Sequence, residues 1–532
     1  MSSHPAVVER LAKLQVDQRR AATAPPGPVL CVAPAGSGKT TTLVARIAWL
    51  VDEGAAPETI CAITFNKRAA EELRGRIGLA LAPLGDGIGE RIRIRTFHAL
   101  GLEVLREAGE IVQPLLDREE VLRAVAPRST VADRRRLDTV LSRFKLDLDV
   151  DPASIEADPE AGPVARTFAA YEAEIRRLGG LDFDDLVARS LRLLERDAGV
   201  RELWRGRCTH LLVDEAQDLD RAQLRLALLL AAPANRIFLV GDDDQSIYGW
   251  RLADVRRLLG LADSSLPNLT RVDLETNYRC PGSVLDRAVR LVEHNTERFA
   301  KVIRARPNAE GSLVLAPTTA DDVDRAEAVL RSWPAEGGTR AVLARTNREL
   351  VPVAVAALRL GIPFRAPDLV LPVESERVDE LVAAAREIPM RLPLLALGEV
   401  RRAAGRRDPI AAAVLGWSAG FRTMDALAAR IATTRQALAD LRRDDAPLSL
   451  ATAHGTKGLE FDHVAVIGLD EGRFPSARSV AEAVEPDRAL EEERRLAYVA
   501  WTRARRSLTL VYDPGAPSQF LLEAFSRDEL AA

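Results

Sequence analysis

Three short segments carry residue types whose spacing could bind and split a nucleoside triphosphate. The first, APAGSGKTT (residues 33–41), follows an apolar run and opens a helical pattern, LVARIAWLV. Small residues there let successive backbone N–H groups turn onto a phosphate, and the helix N-terminus adds its positive end. In that frame Ala35, Gly36, Ser37, Gly38, Lys39, Thr40 and Thr41 surround the phosphates, Lys39 reaches the β and γ oxygens, and the Thr40 hydroxyl can hold Mg2+. Ala33 stands where the strict pattern has glycine. The second segment, LLVDEAQD (residues 211–218), ends an apolar strand in paired carboxylates. Asp214 can join the Mg2+ shell, and Glu215 can orient and activate the attacking water. The third, VGDDDQSIYGWRLA (residues 240–253), offers Gln245 as a γ-phosphate sensor and brings Tyr248, Trp250 and Arg251 together. Aromatic residues are only 5% of the chain, so this trio reads as a base-stacking platform beside a phosphate contact. Local sequence supports equally the alternative that Trp250 is a core residue.

Groups of this kind need strands that end together and helices that begin there. PVLCVA, ICAITF, HLLVD and RIFLV, between residues 28 and 240, are short β-branched apolar runs, each followed by turn chemistry and a helical pattern. That is the signature of buried parallel strands in an α/β fold. A second series starts at RVDLE (from Arg271) and continues through SLVLA, RAVLA, LSLATA, HVAVIGL and SLTLVY. Residues 101–180 and 366–446 are instead rich in Leu, Ala, Arg and Glu at helical spacing, which predicts two α/β units, each interrupted by a helical insert.

The composition narrows the classes. Lys plus Arg (74) nearly balance Asp plus Glu (78), for a formal charge of −4, so any grip on phosphates is local and the chain is no basic coat protein. Six of the 74 cations are lysines (Lys13, Lys39, Lys67, Lys145, Lys301, Lys457), which makes each one a candidate for a specific role beside a general bias to arginine. Cys31, Cys61, Cys208 and Cys280 are too dispersed for a zinc or iron–sulfur module. No run approaches the ~20 apolar residues of a membrane span, and the N-terminus lacks a signal-peptide core, so the expected location is the cytoplasm. Two motifs compete with this picture. DLDVDP (residues 147–152) spaces aspartates like a calcium loop but has Pro152 where the turn glycine belongs, and reads as a solvated loop. GWSAG (residues 416–420) fits a nucleophile elbow but lacks partners, and reads as a tight turn between helices.

The order and spelling of the motifs resemble the superfamily 1A DNA helicases of the UvrD/Rep/PcrA type. LQVDQRRA resembles the adenine-reading Q motif with Gln18; TFNKRAAEEL resembles motif Ia, with Phe65 and Asn66 at single-stranded DNA; and TFHAL resembles motif Ib, with Thr96 and His98. LDFDDL (residues 181–186), HNTERFAK (294–301), LARTN (343–347) and PSQFL (517–521) match further family signatures. LETNYRC resembles motif IV, in which Tyr278 would stack on adenine and Arg279 would reach the γ-phosphate. TAHGTKGLEF resembles motif V, with Glu460 near the ribose, and EEERRLAYVAWTRAR resembles motif VI, with Arg503 as the second arginine at the γ-phosphate. Pro34, Thr41, Ala216 and Trp501 depart from common spellings without removing a chemical group.

The resemblance implies two RecA-like parallel-sheet motor domains of P-loop NTPase type. Domain 1A would comprise residues 1–100 and 181–270 with helical insert 1B at 101–180; domain 2A would comprise 271–365 and 447–532 with insert 2B at 366–446. It further implies ATP and Mg2+ as nucleotide and cofactor, one ATP site fed by both motor domains, and 3′ to 5′ movement on single-stranded DNA. Tyr248, Trp250 and Arg251 would then touch the strand. Insert 2B is short for the family and lacks a GIG-type duplex-contacting motif, and no C-terminal partner-binding extension is expected. The implied activity is a DNA-stimulated ATP hydrolase and helicase of repair or recombination, acting at single-strand/duplex junctions near the nucleoid, beside unidentified repair proteins. Two alternatives stay open: a translocase that strips proteins but unwinds poorly, and a non-hydrolysing scaffold.

Overall fold

The computed structural model describes residues 3–110, 112–147, 154–155, 162–333, 337–404 and 408–531. The chain divides into two units, Met1–Arg279 with Val292–Asn308, and Cys280–Leu291 with Ala309–Ala532.

The first unit is built on six parallel strands: β1 (Val29–Val32), β2 (Ile60–Thr64), β3 (Arg93–Thr96), β4 (His210–Val213), β5 (Ile237–Gly241) and β6 (Thr270–Asp273). Their order is β3-β2-β4-β5-β1-β6. Strands β1, β2 and β5 are buried along their whole length, because helices cover both faces of a parallel sheet and leave no solvated side. Strand β6 corrects the expected boundary. The RVDLE run pairs in register with β1, Val29 opposite Thr270 and Val32 opposite Asp273, so it closes the first sheet and does not open the second. Two short parallel strands follow, β7 (Thr276–Asn277) and β8 (Arg304–Ala305), also in the first unit.

The limit of the first helical insert shifts too. Helix Phe97–Glu107 packs Leu100, Val104 and Leu105 into the same core as Leu30, Val213 and Leu239. A Cβ on Gly101 would lie 2.1 Å from the Leu186 carbonyl, so glycine lets this helix press against Phe183–Arg196. Beyond it, helices Arg118–Val125, Val131–Leu146 and Pro163–Leu178 share a small core of Val121, Leu122, Leu141, Phe168, Tyr171 and Ile175. An ionic cluster ties them to the signature LDFDDL: Lys145 Nζ lies 2.9, 2.9 and 3.0 Å from carboxylates of Glu172, Asp182 and Asp185. Arg118 meets Asp182 and Asp184 at 2.8 and 2.6 Å. Paired in this way, the carboxyl of Asp182 stays well below the usual range despite its burial.

The second unit carries its own all-parallel sheet: β9 (Ser312–Pro317), β10 (Arg340–Ala344), β11 (Phe364–Arg365), β12 (Leu448–Thr452), β13 (Phe461–Val466) and β14 (Ala504–Tyr512), in the order β11-β12-β10-β13-β14-β9. Between β11 and β12 stand four helices, Arg377–Arg386, Pro393–Ala404, Pro409–Ser418 and Met424–Leu441, which bury Leu381, Val414, Leu427 and Ile431 in one core with Val342 and Ala465. GWSAG is not a turn throughout. Gly416 and Ser418 lie in the third of these helices, and the buried Ser418 hydroxyl donates to Leu415 O at 2.6 Å, as a helical serine does. The DLDVDP run lies, from residue 148 on, outside the described residues. Among the described residues no helix is long and apolar enough to cross a membrane.

Candidate functional site

Every strand of the first sheet points the same way, so the turns after β1 to β5 all emerge on one edge. In the turn after β1, Gly36 and Gly38 take left-handed φ of 67° and 87°, and Gly38 caps helix Lys39–Asp52. A Cβ on Gly36 would stand 2.7 Å from Arg279 Cβ, and one on Gly38 2.6 Å from Gln18 Nε2. At both positions the left-handed backbone strains any other residue, and at Gly36 the added carbon would also meet the Arg279 and Asn277 side chains. The loop carbonyls are held from behind: Gln18 Nε2 donates to Ser37 O (2.8 Å), Asn277 Nδ2 to Ala35 O (2.6 Å) and the Tyr278 N–H to Gly36 O (2.9 Å). With its carbonyls held this way, the loop keeps the first-turn N–H groups, which have no intrahelical acceptor, in an anion-binding arrangement. Lys39 Nζ reaches back to Ala33 O at 3.4 Å. Both ends of the Gln18 amide are engaged, since its Oε1 accepts the Gln15 N–H at 3.1 Å. Reading an adenine would require Gln18 to exchange these partners.

After β4, the Asp214 carboxylate accepts the Glu215 N–H at 2.9 Å, and Glu215 sits at φ 52°, a left-handed conformation that costs a non-glycine residue about 1–3 kcal/mol. Gln217 Nε2 meets Glu215 Oε2 at 2.5 Å. After β5, Gln245 Nε2 donates to Asp242 Oδ2 at 2.7 Å. Asp242, Asp243 and Asp244 are all buried, and Lys301 Nζ holds the three at 2.8, 2.5 and 2.9 Å while Arg298 adds a two-pronged contact to Asp244. Burial nevertheless pushes Asp243 up to about 6. For Mg2+ the donor set is suitable in kind: the Thr40 hydroxyl and the Asp214 carboxylate are oxygen ligands, and this ion takes one or two from protein and the rest from water and phosphate. Among the described residues no cluster of three or more His, Cys, Asp or Glu could hold a metal by itself.

The aromatic groups gather on the same edge. Phe65, just after β2, stacks on Tyr248 at 5.1 Å and 9°, and Tyr248 meets the edge of Trp250 at 6.1 Å. Arg251 lies over both rings, at 5.9 and 4.7 Å. Trp250 is 54% exposed, which excludes the core alternative. His98 stacks on Phe183 at 3.9 Å. Burial pushes its imidazole down to about 4, so the ring is neutral at pH 7. Asn66 and Thr96 serve as N-caps, accepting the N–H of Ala69 (2.8 Å) and Ala99 (3.2 Å) and so fixing where the helices after β2 and β3 begin.

In the second unit Arg503 is buried at the end of helix Pro486–Trp501 and donates to Val499 O (2.8 Å) and Leu459 O (3.1 Å). Glu460, next to that carbonyl, is exposed and lies 3.5 Å from Arg505. Arg279, expected in the second unit, ends the first: its N–H donates to Asn277 Oδ1, and its Cβ lies against Gly36.

Residues 14–265 match the UvrD/REP helicase N-terminal domain, and residues 420–514 match the UvrD-like helicase C-terminal domain. The chain belongs to the UvrD/REP helicase family. DNA helicase II of Escherichia coli (strain K12) is 29% identical to it, across 94% of this chain and 84% of the relative. The ATP-dependent DNA helicase PcrA of Leuconostoc citreum is 28% identical (94% and 80% covered), and that of Staphylococcus aureus (strain Mu50) 26% (96% and 86%). The first alignment runs over 618 positions against 532 residues here, so that relative carries stretches this chain lacks.

Within this UvrD/REP helicase several site residues were not legible as such. Asn277 and Gln217 look like ordinary polar residues inside their motifs, and Phe183 like part of a signature. Only Lys301 had a signal, the rarity of lysine; its partners, the run of three aspartates, lie more than fifty residues away in sequence.

Proposed function

We propose that this chain is an ATP-driven motor that moves 3′ to 5′ along single-stranded DNA and separates duplex strands at junctions. One observation carries the reading: a glycine-bearing phosphate loop, a strand-end carboxylate pair and an exposed aromatic stack emerge on one edge of a single parallel sheet, where ligands of α/β proteins bind. Lys39 and the loop N–H groups bind the ATP phosphates, Glu215 accepts the proton of the attacking water, and Gln245 orients that water. Thr40 and Asp214 would hold Mg2+, which when bound would neutralise charge on the phosphates. Arg279 and Arg503, carried over from the family motifs, stabilise charge on the γ-phosphoryl oxygens. Phe65, Tyr248, Trp250 and Arg251, and His98 on Phe183, offer bases the sequence-tolerant stacking that is worth about 1–3 kcal/mol per base. The setting is the nucleoid, in repair or recombination.

Arg503→Ala is expected to bind ATP normally and lose turnover by about a thousandfold. Normal turnover would return Arg503 to its two carbonyls as a purely structural residue. A second reading, a translocase that displaces proteins and unwinds poorly, draws on the stretches present in the relative and missing here. Translocation and strand separation measured on one preparation decide between them: brisk movement with little separation favours the second.

A further inference from the structure

Gln217 has no role in the mechanism above, yet it is 1% exposed and bonded at both ends of its amide. Nε2 donates to Glu215 Oε2 at 2.5 Å and approaches Asp218 Oδ2 at 3.5 Å. Oε1 accepts the Asp242 N–H at 2.9 Å, and the Gln217 carbonyl accepts the Ser246 hydroxyl at 3.2 Å. The orientation of the amide follows from its partners, because only its oxygen can meet an N–H and only its nitrogen can meet a carboxylate. Gly241 makes room for it: a Cβ there would stand 2.6 Å from Gln217 Oε1 and 3.2 Å from the Ala216 nitrogen. The Asp242 end is itself immobilised, with Oδ1 on Lys301 at 2.8 Å and on the Asp244 N–H at 3.2 Å, and Oδ2 on Gln245. At the other end Glu215 holds a left-handed backbone, which persists only where the surroundings enforce it.

We infer that Gln217 is a positioning residue for ATP hydrolysis. Its amide sets the rotation of the Glu215 carboxylate and joins that base, through the Asp242 backbone, to the turn that carries Gln245. The base and the water-orienting amide of Gln245 thereby keep one geometry on two different strand ends. This inference rests on the reading of Glu215 as the water-activating base.

The test uses the full chain with saturating single-stranded DNA. Gln217→Glu preserves shape and the acceptor for Asp242 but replaces the donor by a second carboxylate, and Gln217→Met preserves volume and drops both bonds. Each is expected to lower kcat at least about tenfold, while KM for ATP and affinity for a non-hydrolysable ATP analogue stay within about threefold. Glu215→Gln, run alongside, supplies the reference. If Glu215→Gln is inactive and both Gln217 variants keep kcat within twofold, Gln217 does not position the base. If both Gln217 variants lose analogue binding together with kcat, its role is structural and the inference is wrong. If Glu215→Gln itself hydrolyses briskly, the base has been misassigned and the inference falls with it.

Discussion

The hydrolytic and the stacking regions of the first unit share one sheet edge and are held together by opposite means. Behind the phosphate loop and the carboxylate pair, buried polar side chains brace the site through hydrogen bonds and ion pairs: Asn277 and Gln18 to the loop, Gln217 to Glu215, and Lys301 to three aspartates. A few strand ends away, Phe65, Tyr248 and Trp250 meet through ring faces and edges, with Trp250 open to solvent. The difference follows from the ligands each side would take. A phosphoryl group in transit needs donors fixed before it arrives, since stabilisation by preorganised dipoles is lost when they must first reorganise. A strand moving past must be gripped and released, and a π-face offers each base a similar contact without a fixed hydrogen-bond pattern.

Three substitutions would break or sharpen this contrast. The largest effect is expected for Lys301→Met, which leaves Asp242, Asp243 and Asp244 buried with Arg298 still paired to Asp244; stranding buried charge costs about 3–5 kcal/mol, visible as a clear fall in melting temperature. An unchanged melting curve would show that the braced side does not depend on that lysine. Trp250→Ala comes next. Loss of one stacking face is expected to weaken single-stranded DNA binding roughly tenfold and to blunt DNA stimulation of the ATPase, as read by titrating DNA against turnover. Unaltered stimulation would remove Trp250 from the track.

The smallest effect concerns Asp220, which caps helix Arg221–Ala231 from a buried position and whose carboxyl burial pushes up to about 7, with Asp184 adding to the shift. A carboxyl raised in the folded state contributes stability that is full below its unfolded value and is lost as pH rises through about 7. Asparagine caps a helix as well and does not titrate. Asp220→Asn is therefore expected to gain in melting temperature relative to the parent between pH 5 and pH 8, by a few degrees. A difference that stays flat across that range would show that Asp220 remains ionised.

Much of this architecture was written in local patterns. Apolar runs of five to seven residues ending in turn chemistry marked most strands of both sheets, because a parallel strand covered on both faces cannot hide its composition; the half-buried β3 and the two-residue β11 carried no such run. Glycine at positions 36 and 38 marked the phosphate loop because both take a left-handed backbone that favours glycine. RVDLE was the strand whose place could not be read, since a strand's pattern states that it is buried and not which sheet buries it; pairing with β1 settled that. The same limit hid the unit to which Arg279 belongs and the two contacts of the Gln217 amide.

By itself, then, the sequence determined the strand ends, the loop that must be glycine, the carboxylate pair and the aromatic trio, all properties of contiguous residues under local steric and hydrophobic rules. Only the tertiary structure decided that Trp250 faces solvent, that Lys301 reaches three aspartates and that Gln217 bridges two strand ends. Those are contacts between segments far apart in the chain, and their partners are chosen by packing, which no local pattern records.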